Sequence, residues 1–308
     1  MADASAATVS PEDQLAWEAG QRPRAAATAA LGGALAIGGI VVAGLSTRDQ
    51  PSALLLDSLR TLEKPGPIGT QPTAHIADFE YTTTHFGTLF ASILMLALGL
   101  VGIGLALGFL GRATRARREK LARFALPAPV VGAVVAGAGI LIVFMAQRAF
   151  HQDVLDGART VDSVRERPSA EGVGYAVELL GLFVFALGVV LVSLNAMRAG
   201  LLTRTMGVLG MFSGGAIVLF GPSQPLLPLW TIFLAPLMLG RWMGGVPPAW
   251  VTGKEEPWPT GAQMRQERMK ARGQTMAEPE PEPDPEPVEE RAARVHPSSK
   301  KRKRKRRG

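Results

Sequence analysis

The stretch from Thr205 to Gly240, TMGVLGMFSGGAIVLFGPSQPLLPLWTIFLAPLMLG, holds 36 residues without one formal charge. As a single helix rising 1.5 Å per residue it would reach about 54 Å, nearly twice the ~30 Å of bilayer hydrocarbon. Gly221-Pro222-Ser223-Gln224-Pro225 lies at its middle and supplies the breakers that a tight reversal needs. The stretch therefore reads as a hairpin of two short arms, 205–221 and 224–240. Arg204 precedes it and Arg241 follows it, so a hairpin returns both cations to one face, as the Lys/Arg bias prefers. Pro228 and Pro236 each remove a helical hydrogen bond from the second arm. Their neighbours are Leu, Trp and Phe, so a structural kink is expected there and not an ion site.

Four more blocks of spanning length lie upstream: 25–47, 86–111, 124–147 and 172–197. Gly44-Leu45-Ser46 after the first offers a small-x-small cleavage site, but that apolar region is too long for a signal peptide. Its acidic leader, with Asp3, Glu12, Asp13 and Glu18, is also atypical. The whole chain, 308 residues with 47% hydrophobic and 19% charged, has the profile of a polytopic membrane protein. It has no cysteine, which excludes thiol nucleophiles, cysteine metal ligation and disulfides.

The expected fold is all-α, a polytopic transmembrane bundle of six spans with both termini cytoplasmic. Ten Lys/Arg residues flank the short inner segments: Arg22, Arg24, six between Arg112 and Arg123, Arg198 and Arg204. Seven are spread over the much longer outer segments, and this difference in density orients the chain. Residues 1–24 are expected to be a disordered cytoplasmic leader, 25–240 the bundle, and 241–308 a cytoplasmic tail, disordered from about residue 260. Gln263 to Arg272 is a short basic helix candidate within that tail. In the outer loops, a short amphipathic helix is expected around Leu54 to Leu62, then an irregular return to the membrane, and another helix around Asp153 to Arg165.

Small residues four apart, Gly104/Gly108, Gly210/Gly214, Ala34/Gly38 and Ala133/Gly137, let helix backbones approach closely. Close packing within one chain is the favoured reading, with a homo-oligomer face as the alternative.

Glu178 is the one acid inside any block, and an intramembrane acid is costly enough to suggest a function. It lies about two turns from the outer end of its span, where it could pair with Arg148 or meet interfacial water, with Tyr175 on the same helical face. A structural pair or a solvated acid is favoured over a proton, cation or substrate site. His75, His85 and His151 fall on the expected outer side with Asp78, Glu80 and Asp153 near them. They offer a nitrogen and oxygen ligand set for a divalent metal, but their spacing matches no established signature, and exposed loop histidines are favoured. Ser213 in Gly210-Met211-Phe212-Ser213-Gly214 has no histidine at its depth to act as a base. No catalytic or cofactor-binding motif is found, so an enzyme is not the favoured class.

Glu278 to Glu290 alternates acids with proline and reads as an extended linker. The chain then closes on eight consecutive cations, Lys300, Lys301, Arg302, Lys303, Arg304, Lys305, Arg306 and Arg307. Anionic lipid headgroups, at about 1 kcal/mol per cation near the surface, are the favoured partner. Self-association with the seven acids of 278–290 is the second choice, and ribosomal or other RNA is the third.

Two stretches carry a resemblance. They are Asn195-Ala196-Met197-Arg198-Ala199-Gly200-Leu201-Leu202-Thr203-Arg204-Thr205-Met206-Gly207-Val208-Leu209-Gly210, and Gly240-Arg241-Trp242 with Pro247-Pro248-Ala249-Trp250 and Glu256-Pro257-Trp258-Pro259. Over roughly residues 85 to 260 the chain resembles a family of uncharacterised multi-span membrane proteins of high-GC actinobacteria, which carry a domain of unknown function. The resemblance brings no activity, substrate or catalytic residue, and the location expected for the bundle is the plasma membrane. The expected role is that of a non-enzymatic membrane protein with an interacting tail, and a small transporter or channel using Glu178 or a metal-binding or enzymatic membrane protein using the outer-loop histidines are the alternatives.

Overall fold

The computed structural model describes residues 10–51, 74–158, 169–243, 245–258 and 261–271. These form α1 (Pro11–Ser46), α2 (Ala74–Thr84), α3 (Phe86–Arg117), a 3-10 turn (Arg123–Ala125), α4 (Ala128–Leu155), α5 (Ser169–Ala199), α6 (Arg204–Phe220), α7 (Leu226–Met238), α8 (Ala249–Thr252) and α9 (Gly261–Ala271). Helix α9 belongs to a separate unit that starts at Pro259. The other elements form one bundle.

Four helices, α1, α3, α4 and α5, are long and apolar enough to cross a membrane, and α6 and α7 are shorter apolar helices. By length and hydropathy this is a multi-pass membrane protein. The 36-residue uncharged stretch is interrupted, with α6 and α7 separated by Gly221 to Pro225. The 13 residues of α7 span about 20 Å, short of the ~30 Å of hydrocarbon.

The leader departs from expectation. It is helical from Pro11, continuous with the first apolar block, and not disordered up to residue 24. Ser10 caps it by accepting the Asp13 N–H at 3.1 Å, Pro11 occupies the first turn, and Glu12 and Asp13 meet the positive end of the helix dipole. Residues 74–84, expected to be irregular, form α2, which packs on α4. In the tail, α9 covers most of the expected basic helix. Helix α4 continues only to Leu155, so it takes in only the start of the helix expected around Asp153 to Arg165. The expected 54–62 helix, the acidic 278–290 stretch and the 300–307 run lie outside the described residues.

Helix α1 packs on α3, α3 on α4, α4 on α5, α5 on α6, α6 on α7, and α7 back on α1, closing a ring. Helix α3 also touches α5 across it, and its Leu100, Ile103, Leu107 and Leu110 are fully buried. Outward faces carry Leu98, Val134, Leu180, Phe212 and Phe233, large apolar side chains that meet lipid.

Two seams of the ring are set by glycines at heptad spacing. On α4 and α5 the backbones interlock in antiparallel register. A Cβ on Gly132 would lie 2.3 Å from the Phe185 nitrogen, one on Gly139 2.3 Å from the Glu178 nitrogen, and one on Gly181 2.2 Å from the Ala136 nitrogen. On α1 and α3 a Cβ at Gly32 would meet the Ile103 nitrogen at 2.7 Å and one at Gly99 the Ala36 nitrogen at 2.6 Å. No side chain fits these positions, so glycine lets dispersion contacts form between main chains. Several of the four-spaced glycines also serve contacts within the chain, such as Gly104 against the Pro129 carbonyl.

Candidate functional site

The start of α1, the end of α3, the α5–α6 junction, the end of α7 and helix α8 meet at one end of the bundle. Glu18, two turns into α1, receives both terminal nitrogens of Arg117, one of them at 2.7 Å to Oε2. The two side chains are 1% and 0% exposed, so each charge has left water and depends on the other. Gln14 donates to the same carboxylate at 2.7 Å. Arg117 also donates to the Ala249 carbonyl from Nε at 3.1 Å and Nη2 at 2.8 Å, and to the Ala113 carbonyl at 2.9 Å. Its guanidinium therefore ties α1, α3 and α8 together.

Trp250 fills the space beneath. Its indole N–H donates to the Leu201 carbonyl at 3.0 Å, and its ring stacks on Phe109 at 6.1 Å, 4° from parallel. The Arg22 guanidinium lies 4.5 Å from the ring centroid and that of Arg117 5.5 Å, an arrangement that favours cations over the indole face. Arg22 further donates to the Met238 carbonyl at 3.1 Å, holding the end of α7. Gly200, with φ +81°, turns the chain out of α5, and a Cβ there would lie 1.8 Å from the Glu256 carbonyl oxygen. The Glu256 N–H returns a bond to the Ala199 carbonyl at 3.2 Å. The two stretches that carry the sequence resemblance, around 195–210 and 247–257, are thus packed against each other.

Beside this clasp, between α1, α3 and α4, opens a groove of about 600 Å³. Trp17, Gln21 and Arg112 line its outer part, and Leu105, Gly108 and Val130 its inner part.

At the opposite end, α2 and the ends of α1, α4 and α5 form a polar cluster. The Tyr81 hydroxyl donates to the Ser46 carbonyl at 2.5 Å, and Gln50 bonds Asp78. His151 Nδ1 meets the Thr82 hydroxyl at 3.0 Å, and its ring stacks on Phe79 at 4.3 Å. His151 lies beyond the apolar block that ends at Gln147, and burial lowers its pKa, against an opposing pull from Asp78 and Glu171. His85 stacks on Tyr81 at 4.0 Å and its Nδ1 donates to the Tyr81 carbonyl at 2.9 Å. Among the described residues no three histidine or acid side chains are grouped to hold a metal ion. His75 begins α2, and its side chain lies outside the description.

The Glu178–Arg148 pair, one of the two arrangements expected for this acid, is not formed. Arg148 instead lies 3.5 Å over the Phe86 ring, and Glu178 makes no hydrogen bond or ion pair among the described residues. The reason is steric: Glu178 sits at the Gly139 contact of the α4–α5 seam, and its position there is set by main-chain packing. Gln147 joins the outer polar groups, donating to Glu171 and to Tyr175, both at 3.2 Å. Ser213 donates to the Leu209 carbonyl of its own helix at 2.7 Å.

Sequence reasoning missed the clasp. Glu18 was legible only as an atypical acid of the leader, and Arg117 as one of six cations in a connection. One signal could have raised both: an acid and a tryptophan, each flanking an uncharged block, beside an arginine-rich helix end.

Comparison with protein-family models, with curated proteins and with solved structures returns no match.

Proposed function

We propose that this chain is a non-enzymatic integral protein of the plasma membrane, crossing it six times with both termini in the cytoplasm, whose basic tail contacts anionic lipid. The eight consecutive cations Lys300 to Arg307 carry the reading, since no other segment concentrates charge of one sign to this degree. The bundle supports the orientation. The start of α1, the Arg112–Arg123 connection and the end of α7 lie at one end, which gathers the positive flanks on one face. The clasp serves this role by fixing the segment that leads toward the tail, since Ala249, Trp250 and Glu256 are all bonded to the bundle.

The test uses the full chain in zwitterionic nanodiscs, titrated with separate vesicles containing anionic lipid and, in a parallel series, with ribosomes. Binding to the vesicles should weaken with salt and disappear when residues 300–307 are replaced by glutamine and serine. Binding to ribosomes alone would move the assignment to RNA, and binding to neither would leave the tail's charges to the acids of 278–290.

A further inference from the structure

We infer that the groove between α1, α3 and α4 is a binding site for one anionic phospholipid, with Arg112 holding its phosphate and an acyl chain lying over Gly108. The inference does not depend on the tail. It starts from how the arginines at the end of α3 are used. Arg115 donates to the Leu121 carbonyl at 3.3 Å, Arg117 is consumed by Glu18 and Ala249, and Arg118 bonds Glu255. Arg112 is exposed and makes no hydrogen bond or ion pair among the described residues, and it lines the groove.

Depth supplies the second argument. Arg112 is the first residue past the uncharged block that ends at Gly111, so it stands where hydrocarbon gives way to headgroups. Gly108 and Leu105 follow one and two turns deeper, about 6 and 10 Å along the helix. The groove thus runs from a cation at headgroup level to an apolar floor at acyl level, and this sequence of chemistries is that of a phospholipid. Trp17, stacked on Phe109 at 5.6 Å and 38% exposed, forms one wall at the interface, where tryptophan is favoured. Gly108 keeps the floor open, since it is the absence of a side chain there that leaves room beside Val130. A zwitterionic headgroup would present its own cation to Arg112, whereas an anionic one leaves the phosphate as the net charge.

The test is native mass spectrometry of the full chain with residues 300–307 neutralised, so that lipid held by the tail does not count. The protein is loaded with equimolar phosphatidylglycerol and phosphatidylcholine. One phosphatidylglycerol per chain should be retained in preference to phosphatidylcholine. Arg112→Gln should lower that retention about fivefold, the effect of one cation near an anionic headgroup. Val131→Trp, which fills the groove from an exposed position on α4, should lower retention of either lipid. Arg123→Gln, an exposed cation that does not line the groove, serves as the control and should retain lipid normally. Each variant is first shown to melt within a few degrees of the parent. Equal retention of the two lipids, or an Arg112→Gln variant that binds as the parent does, would overturn the site.

Discussion

Arg117 and Glu18, 99 residues apart in the chain, form a two-pronged ion pair in which neither side chain is more than 1% exposed. The pair joins the second turn of the first helix to the last turn of α3 and, through the Ala249 carbonyl, to the segment after the last apolar helix. Breaking it should cost more than removing it. Glu18→Ala leaves a guanidinium buried without its counter-charge and should destabilise the bundle by about 3 kcal/mol, whereas Glu18→Gln with Arg117→Met should cost clearly less. Chemical denaturation in mild detergent, run as a double-mutant cycle, measures the difference.

The glycine seams predict opposite outcomes for the same substitution. Gly181→Ala would place a methyl group 2.2 Å from the Ala136 nitrogen, so α4 and α5 must part, at a cost of about 2 kcal/mol. Gly215→Ala, on α6 with nothing within 4 Å of the new methyl, should gain about 0.5 kcal/mol from reduced backbone entropy of the unfolded chain. Thermal melts of the two variants beside the parent decide this, and similar shifts would refute the seam.

Trp250 separates a hydrogen bond from a packing contribution. Trp250→Phe keeps a ring for Phe109 and the two guanidiniums and loses the bond to Leu201, at about 1 kcal/mol. Trp250→Ala also empties the space between them and should cost about 3 kcal/mol or more. Limited proteolysis within residues 245–258 should accelerate strongly in the alanine variant and little in the phenylalanine one.

At the other end, acid should loosen α2. Burial holds the folded-state pKa of His151 below its unfolded value, so the neutral ring is the form that fits against Phe79 and Thr82. The associated stability is complete above the unfolded pKa of about 6.5 and is lost as the pH falls through the depressed folded value. The protection factors of residues 74–84, each taken against the intrinsic exchange rate at the same pH, should therefore fall between neutral pH and about pH 5, and His151→Gln should flatten that dependence. A profile unchanged by His151→Gln would assign the effect to other groups.

Much of this architecture was legible from composition along the chain. An apolar block of twenty or more residues with at most one charge must satisfy its own backbone hydrogen bonds in lipid, so 86–111, 124–147 and 172–197 could be read as helices without knowing their neighbours. The break at Gly221 to Pro225 was equally local, because proline and glycine act on the backbone where they stand. Helix α1 reached back to Pro11 because its cap at Ser10 is local, but the stability of that extra length rests on Glu18 finding Arg117, which no nearby residue announces. Glu178 failed in the other direction: its charge drew attention, while its position was decided by Gly139 on another helix.

From the sequence alone follow the membrane class, the helical blocks, the hairpin and the charged tail, because hydrophobic length, chain breakers and charge runs act within a few residues. Only the folded chain decides which helices are neighbours, which glycines face a backbone, and which arginine of Arg112, Arg115, Arg117 and Arg118 is left open to a ligand. Those outcomes depend on contacts between segments tens to hundreds of residues apart, and in lipid, where apolar faces are interchangeable, steric fit and buried charge select among the possible pairings.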